Sequence, residues 1–268
     1  MNKTLEVIYN RTSLRRFSDK PISEIDKQAI IHSALRAPTA GNLMLYSIVL
    51  VENKETLQTL SHTCDEQPFI ESASFALIFL VDYQRMYDYF ADNNFHSYCL
   101  EQDQDPVYPN LSDLLLGSQD AMAAAQNSVI AAESLGIGSC YIGDIIENYE
   151  IHRELFNLQD LTFPLSMLVF GHYPEGYKPK IQSRFDSKFV VFKEKYHSFN
   201  SEELHEMYQE RELKFQPNNP FEAKNAAQVI YAQKVGSAFG LEMKRSVEVA
   251  FNRWTKKKHI DLDLKKDR

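Results

Sequence analysis

The chain has few of the features that mark secreted or membrane proteins. Only three cysteines occur in 268 residues, Cys64, Cys99 and Cys140. They are far apart and form no CxxC pair, so no disulfide framework is visible and a reducing compartment is expected. Residues 1–17 hold no apolar run of signal-peptide length. The longest clearly apolar stretch, Phe75 to Val81, is far too short to span a bilayer. Positive charge is also scarce: 29 Lys and Arg against 37 Asp and Glu give a net charge of −8. Such a surface repels phosphate backbones and argues against general nucleic-acid binding. A P-loop, an HExxH pair and a GxSxG elbow are all missing. The run Gly136-Ile137-Gly138-Ser139-Cys140-Tyr141-Ile142-Gly143 misplaces the third glycine of a dinucleotide fingerprint. It also leads from a helix into a strand, the reverse of what a helix N-terminus needs to meet a phosphate. His62 with Cys64 and His96 with Cys99 offer too few converging ligands for a metal. The expectation is a soluble, cytoplasmic protein with no metal and no membrane or nucleic-acid partner.

What is present is a regular alternation of short helices and apolar strands, with 44% hydrophobic residues to fill a core. Leu5, Ile8 and Tyr9 mark a first helix. Ser23, with Asp26 three residues on, caps a second that Pro38 stops. Strands are expected at Tyr46–Val51, Ser74–Asp82, Gly138–Ile142 and Ser166–Phe170. Short helices are expected at Glu55–Leu60 and Glu150–Phe156. Residues 84–110 read as a helix followed by a loop. Their aromatics (Tyr83, Tyr87, Tyr89, Phe90, Phe95, Tyr98) could line a pocket or simply pack under that loop. Leu111–Leu135 is alanine-rich, lacks proline and ends at Gly136, so a long central or intersubunit helix is expected. After about residue 197 the pattern is helical only. It comprises Ser201–Leu213, a turn at Pro217–Pro220, and a long helix from Phe221 into Trp254 bent at Gly236 or Gly240. Lys256–Lys258 and Leu262–Arg268 read as a solvated tail.

Arg11-Thr12-Ser13-Leu14-Arg15-Arg16-Phe17 places two arginines four apart around a serine, directly after a helix. Cations and hydroxyls so arranged suit the phosphate and ribityl chain of FMN, with a positive charge for the N1/O2 edge of the reduced ring. On its own the fragment reads more readily as a solvated turn, its arginines covering a helix end.

"RTSLRRFSDKPIS" followed by "ALRAPTAGN", then "AAESLGIGSCYIGDI" and "MLVFGHYPEGYKPK", resembles the signature of the nitroreductase superfamily over residues 3–195. The helical C-terminal part is similar to its oxygen-insensitive NADPH nitroreductase and flavin reductase branch. The resemblance implies an α+β nitroreductase-like fold, with a central mixed, mainly antiparallel sheet flanked by helices. Residues 1–197 would form the FMN-binding core and 198–268 a helical extension packing on core or partner, in an intertwined homodimer.

It further implies roles for particular residues. Arg11, Thr12 and Ser13 would lie at the phosphate and ribityl end, and Arg15 at the pyrimidine edge. Pro38, Thr39 and Asn42 would come from the other subunit, with Ala40 a departure from the family's serines. Gln67 would meet the N3/O4 edge, and the backbone of Tyr141, Ile142 and Gly143 would lie against the ring. Lys178 and Lys180 would reach the phosphate, where the branch often carries arginine in place of Lys180 and Arg184 is a substitute. Arg211 is the candidate for the NADPH 2′-phosphate.

The implied activity is ping-pong: NADPH or NADH reduces FMN, which then reduces a nitroaromatic, a quinone or a flavin. No acid–base dyad is needed. Alternatives are a dedicated flavin, azo- or metal-ion reductase, a reductive dehalogenase, or a flavin-binding protein without turnover.

Overall fold

The computed structural model describes residues 1–255. The tail Lys256–Lys258 and Leu262–Arg268 lies outside them. The described chain divides into two units, residues 1–179 with 243 onward, and residues 180–242.

The first unit is built on four strands: β1 (Tyr46–Val51), β2 (Phe75–Asp82), β3 (Ile137–Ile142) and β4 (Thr162–His172). They lie in the order β1-β2-β4-β3, every neighbouring pair antiparallel. A parallel bridge between Ser13 and Ser139 adds the N-terminal arm to the β3 edge and makes the sheet mixed. β2 is buried along its whole length, as a central strand covered on both faces must be.

Side-chain alternation splits the core in two. Leu77 and Phe79 face Ile30, Ala34 and the alanines of a long helix. Ala76, Ile78 and Leu80 face Leu57, Leu60, Ile70 and Ile142 on the other side. β4 is longer than the expected Ser166–Phe170. Pro164 lies inside it, opposite Leu80, where the register with β2 shifts. Proline lacks the N–H a ladder needs and is tolerated at such a bulge.

The helices follow their capping signals. α1 (Lys3–Asn10) is capped by Asn2, and α2 (Glu24–Ala34) by Ser23, whose Oγ accepts from Asp26 N–H at 3.1 Å. α3 (Lys54–Thr63) follows β1, with Asn53 as cap. Residues 84–110 hold two helices rather than one, α4 (Gln84–Asp92) and α5 (Phe95–Glu101). Asn94 separates them with φ 55°, a left-handed conformation asparagine tolerates. Tyr87 is buried with Tyr108, Phe95, Phe163 and Trp254, whereas Tyr89 and Tyr98 are exposed. α6 (Leu111–Ser134) carries a full capping box, Asn110 with Asp113. Gly136 ends it at φ 72°. Its small residues Ala121, Ala124, Ala125 and Ala132 are fully buried and let α2 and the sheet close on it. α7 (Tyr149–Leu155) follows the short turn Gly143–Ile146.

In the second unit, α8 (Ser201–Leu213) has a capping box of Asn200 and Glu203. The expected long helix from Phe221 is broken. Asn219 ties a turn to Ala223 in both directions, and α9 spans only Ala226–Ile230. A wide turn, Tyr231–Val235, closes with Gly236 N–H donating to Tyr231 O at 2.9 Å. α10 (Ala238–Trp254) starts afresh at the end of this unit, Ser237 Oγ accepting from Gly240 N–H at 3.0 Å, and its residues from 243 on belong to the first unit. A serine cap in mid-pattern starts a new helix rather than bending an old one.

Candidate flavin site

The arm Arg11–Ser18 is laid against the edge of the sheet. Leu14 N–H donates to Ser139 O at 2.9 Å, and Ser18 N–H donates to His172 O at 3.0 Å. Leu14 is fully buried. The close approach depends on Gly138, where a Cβ would lie 2.3 Å from Leu14 Cδ2 and 3.1 Å from Tyr173 Cζ. Any side chain at 138 would push the arm off. Docking brings the charges of the arm near β3: Arg15 and Arg11 lie within electrostatic range of the Cys140 thiol, which also meets Ser13, and Arg11 within range of Tyr141. Burial pushes the Cys140 thiol up, against the pull of Arg15 and Ser13. Burial also pushes the Tyr141 phenol up to about 12, against the pull of Arg11. Both groups are therefore neutral near pH 7, and the positive charge of the arginines is not cancelled by them.

Thr12 Oγ1 is buried with no hydrogen-bond partner in the protein. An orphan hydroxyl costs about 1–3 kcal/mol and is the kind of group a polar ligand satisfies. At the end of β3, a Cβ on Gly143 would meet nothing within 4 Å, so the backbone there faces open space. Cations, hydroxyls and an open strand end lie along one edge, and this donor set fits FMN.

Gln67 lies on the turn after α3. Its Nε2 donates to Cys64 O at 2.9 Å, and its own N–H donates to Ser61 O at 2.7 Å. The end of α3 is tied to the segment after Gly143: Asn148 Nδ2 donates to Thr63 O at 2.9 Å, and Thr63 Oγ1 is 2.8 Å from His152 Nε2. His152 Nδ1 in turn meets Ile145 O at 2.8 Å. Burial holds the His152 imidazole below its usual pKa, against those backbone contacts. Gln67 and Gly143 are thus carried on two braced segments.

Pro38, Thr39 and Asn42 are placed elsewhere. Pro38 and Asn42 are exposed, and Thr39 Oγ1 accepts from Met44 N–H at 3.0 Å. The loop is held by Asp120, buried on α6, whose carboxylate accepts from Ala40 N–H at 2.9 Å and Leu45 N–H at 3.2 Å. Asp120 belongs to the N-terminal half of α6. Glu133, which faces Arg11, lies at the other end. That separation is about 20 Å of helix, so one chain does not bring the 38–42 loop to its own arginine arm.

Lys178 is exposed on the turn after β4. Lys180 opens the second unit and is also exposed. Within that unit Arg211 lies over Phe185, 4.7 Å from the ring centre, and over Tyr208 at 5.4 Å. Three polar residues that brace the site, Asp120, Glu133 and His152, escaped the sequence reading. Asp120 had a signal: it is a carboxylate among buried alanines on an apolar helix face.

Among the described residues, no group of three or more His, Cys, Asp or Glu converges as a metal would require. No helix of theirs is long and apolar enough to cross a membrane.

A four-stranded sheet under an alanine-rich helix, with a basic N-terminal arm added to its edge, is a nitroreductase-type fold. Residues 8–172 match the model of the Nitroreductase family, and the chain belongs to that family. It is 30% identical over 204 residues to the NADPH-flavin oxidoreductase of Vibrio harveyi, covering 76% of this chain and 79% of that one. It is 31% identical over 207 residues to an FMN reductase (NADPH) of Bacillus subtilis, covering 76% and 78%. The solved NADPH:FMN oxidoreductase from Vibrio harveyi, complexed with NAD+, superposes with a TM-score of 0.75 at 26% identity, covering 93% of this chain and 98% of that one. Nitroreductase A from Vibrio parahaemolyticus gives 0.76 at 26%, covering 94% and 98%.

Proposed function

We propose that this protein is an FMN-dependent NAD(P)H oxidoreductase that passes two electrons to nitroaromatics, quinones or flavins. The observation that carries this reading is the docked arm, with Arg11, Ser13 and Arg15 along β3 and open space at Gly143. The names of its relatives support the same chemistry.

Bound FMN supplies hydride acceptance and donation. The residues of this chain bind and orient. Arg15 offers a fixed positive charge to the pyrimidine edge, which favours the anionic reduced ring. Ser13, Thr12 and Arg11 serve the ribityl and phosphate end, with Lys178 and Lys180 as further cations and Arg184 in reserve. Lysine at 180 keeps the charge but not the bidentate fork of arginine. Gln67 keeps Oε1 for the N3 side, since its Nε2 is used on Cys64. The backbone of Tyr141, Ile142 and Gly143 can approach the ring closely because Gly143 has no side chain. No general acid or base is required of the protein.

The working form is a homodimer in which Pro38, Thr39 and Asn42 of one subunit complete the site of the other. The 20 Å separation along α6 supports this. So do the exposed apolar residues Leu115, Leu116 and Met122 on α6 and Leu5, Ile8 and Tyr9 on α1, a pattern that marks association surfaces. Residues 1–197 are taken as the flavin core, with those from 198 on as a helical extension. The cytoplasm, with its NADPH pool, is its place of work.

Steady-state oxidation of NADPH in the presence of a quinone tests the reading. Turnover supports it, whereas flavin binding without turnover makes the protein a flavin store. Arg211 takes the NADPH 2′-phosphate. Arg211→Ala is expected to raise KM for NADPH about tenfold and leave KM for NADH nearly unchanged. An equal effect on both cofactors would remove Arg211 from that role.

A further inference from the structure

Glu133 is a costly residue where it stands. It lies in the last turn of α6, where no basic residue offsets the partial negative charge of the helix end. It is half-buried. Burial raises its pKa, while Tyr173 and Arg11 pull it back down.

Its geometry indicates what offsets the cost. Tyr173 Oη is 3.1 Å from Glu133 Oε1 and 2.9 Å from Oε2, so one hydroxyl donates across both carboxylate oxygens. Tyr173 immediately follows β4, and its ring lies against Gly138, the glycine on which the arm docks. The Tyr173 ring is 5.3 Å from that of Tyr177, and Tyr177 N–H donates to Pro174 O at 3.1 Å, closing the turn. The next residue is Lys178. On the other side, Glu133 shares a hollow with Val7 and Asn10 of α1, directly before Arg11. The carboxylate is therefore bonded to the segment that leads to Lys178 and lies within electrostatic range of Arg11 at the end of α1, two cation-bearing segments far apart in sequence.

We propose that Glu133, acting through Tyr173, is a positioning residue that holds the Lys178 turn beside the Arg11 arm and so sets the affinity for the FMN phosphate. This rests on the flavin reading above. Glu133 itself need not touch the cofactor. It keeps two cations in register, so that little of their side-chain freedom is lost when the phosphate arrives.

The test is a titration of the flavin-free full-length protein with FMN, followed by quenching of flavin fluorescence. Glu133→Ala and Tyr173→Phe are each expected to weaken binding about tenfold, about 1.4 kcal/mol. The double variant is expected to be no weaker than either alone. Glu133→Gln keeps an acceptor for the Tyr173 hydroxyl and is expected to recover most of the affinity. Lys178→Ala should weaken binding in the parent but add little in the Tyr173→Phe background. A residue that merely stabilised the fold would not show that coupling. Unfolding midpoints of the flavin-free variants, close to the parent's, are part of the expected result. Unchanged FMN affinity in Glu133→Ala and Tyr173→Phe overturns the proposal, and so do losses that add with Lys178→Ala as for independent sites. A parent protein that takes up no FMN overturns the flavin reading itself.

Discussion

Asp120 shows how one carboxylate fixes a loop. It is buried, and each of its oxygens accepts a backbone N–H, from Ala40 and from Leu45. Hydrogen bonds to an ionised group are worth about 1.5–3 kcal/mol each, and an N–H left unpaired costs more than its bond had gained. Asp120→Ala is expected to destabilise the protein by about 3 kcal/mol, read as a lowered urea midpoint at constant slope. A loss below about 0.5 kcal/mol would show that water serves the loop equally well. Arg11, Ser13 and Arg15 are singled out by the resemblance of their segment to the family signature, since the fragment alone reads as a solvated turn. Glu133 and Tyr173 are not. They are forty residues apart, and only the β3–β4 pairing that brings Gly138 opposite Gly171 places them together.

At the scale of elements, His152 is the brace between α3, α7 and the turn that carries Gly143. Its ring is fully buried, with Thr63 Oγ1 and Ile145 O on its two nitrogens. Its folded pKa lies below the ordinary 6.5. The unfolded chain therefore takes up a proton that the folded chain refuses. The stability tied to this group is complete above about pH 6.5 and is lost as pH falls below it. Melting temperatures between about pH 7.5 and about pH 5.5 should drop in the parent and drop less in His152→Gln. Equal slopes would remove His152 as the cause. Most elements were legible because caps and periodicity agree, as at Ser23, Asn110 and Asn200. The departures have local causes. Pro164 hid the first half of β4, because a proline argues against a strand unless a bulge receives it. Ser237 restarted a helix that apolar spacing alone had carried through from Phe221.

At the scale of the whole molecule, the residues proposed to hold the flavin do not all meet in one chain. The arginine arm and Gly143 lie along β3, while the 38–42 loop hangs on the far half of α6. No pattern in a single sequence encodes that separation, since it follows from the length and direction of α6. In the proposed homodimer a second copy would remove it, and Leu115 and Leu116 of α6 are exposed. Every role proposed for these residues depends on bound flavin. The most direct measurement is a visible absorption spectrum of the purified protein, taken before and after anaerobic NADPH and again after a quinone. A yellow protein whose flavin band bleaches with NADPH and returns with the quinone is the predicted result. A colourless protein that takes up no added FMN would contradict it.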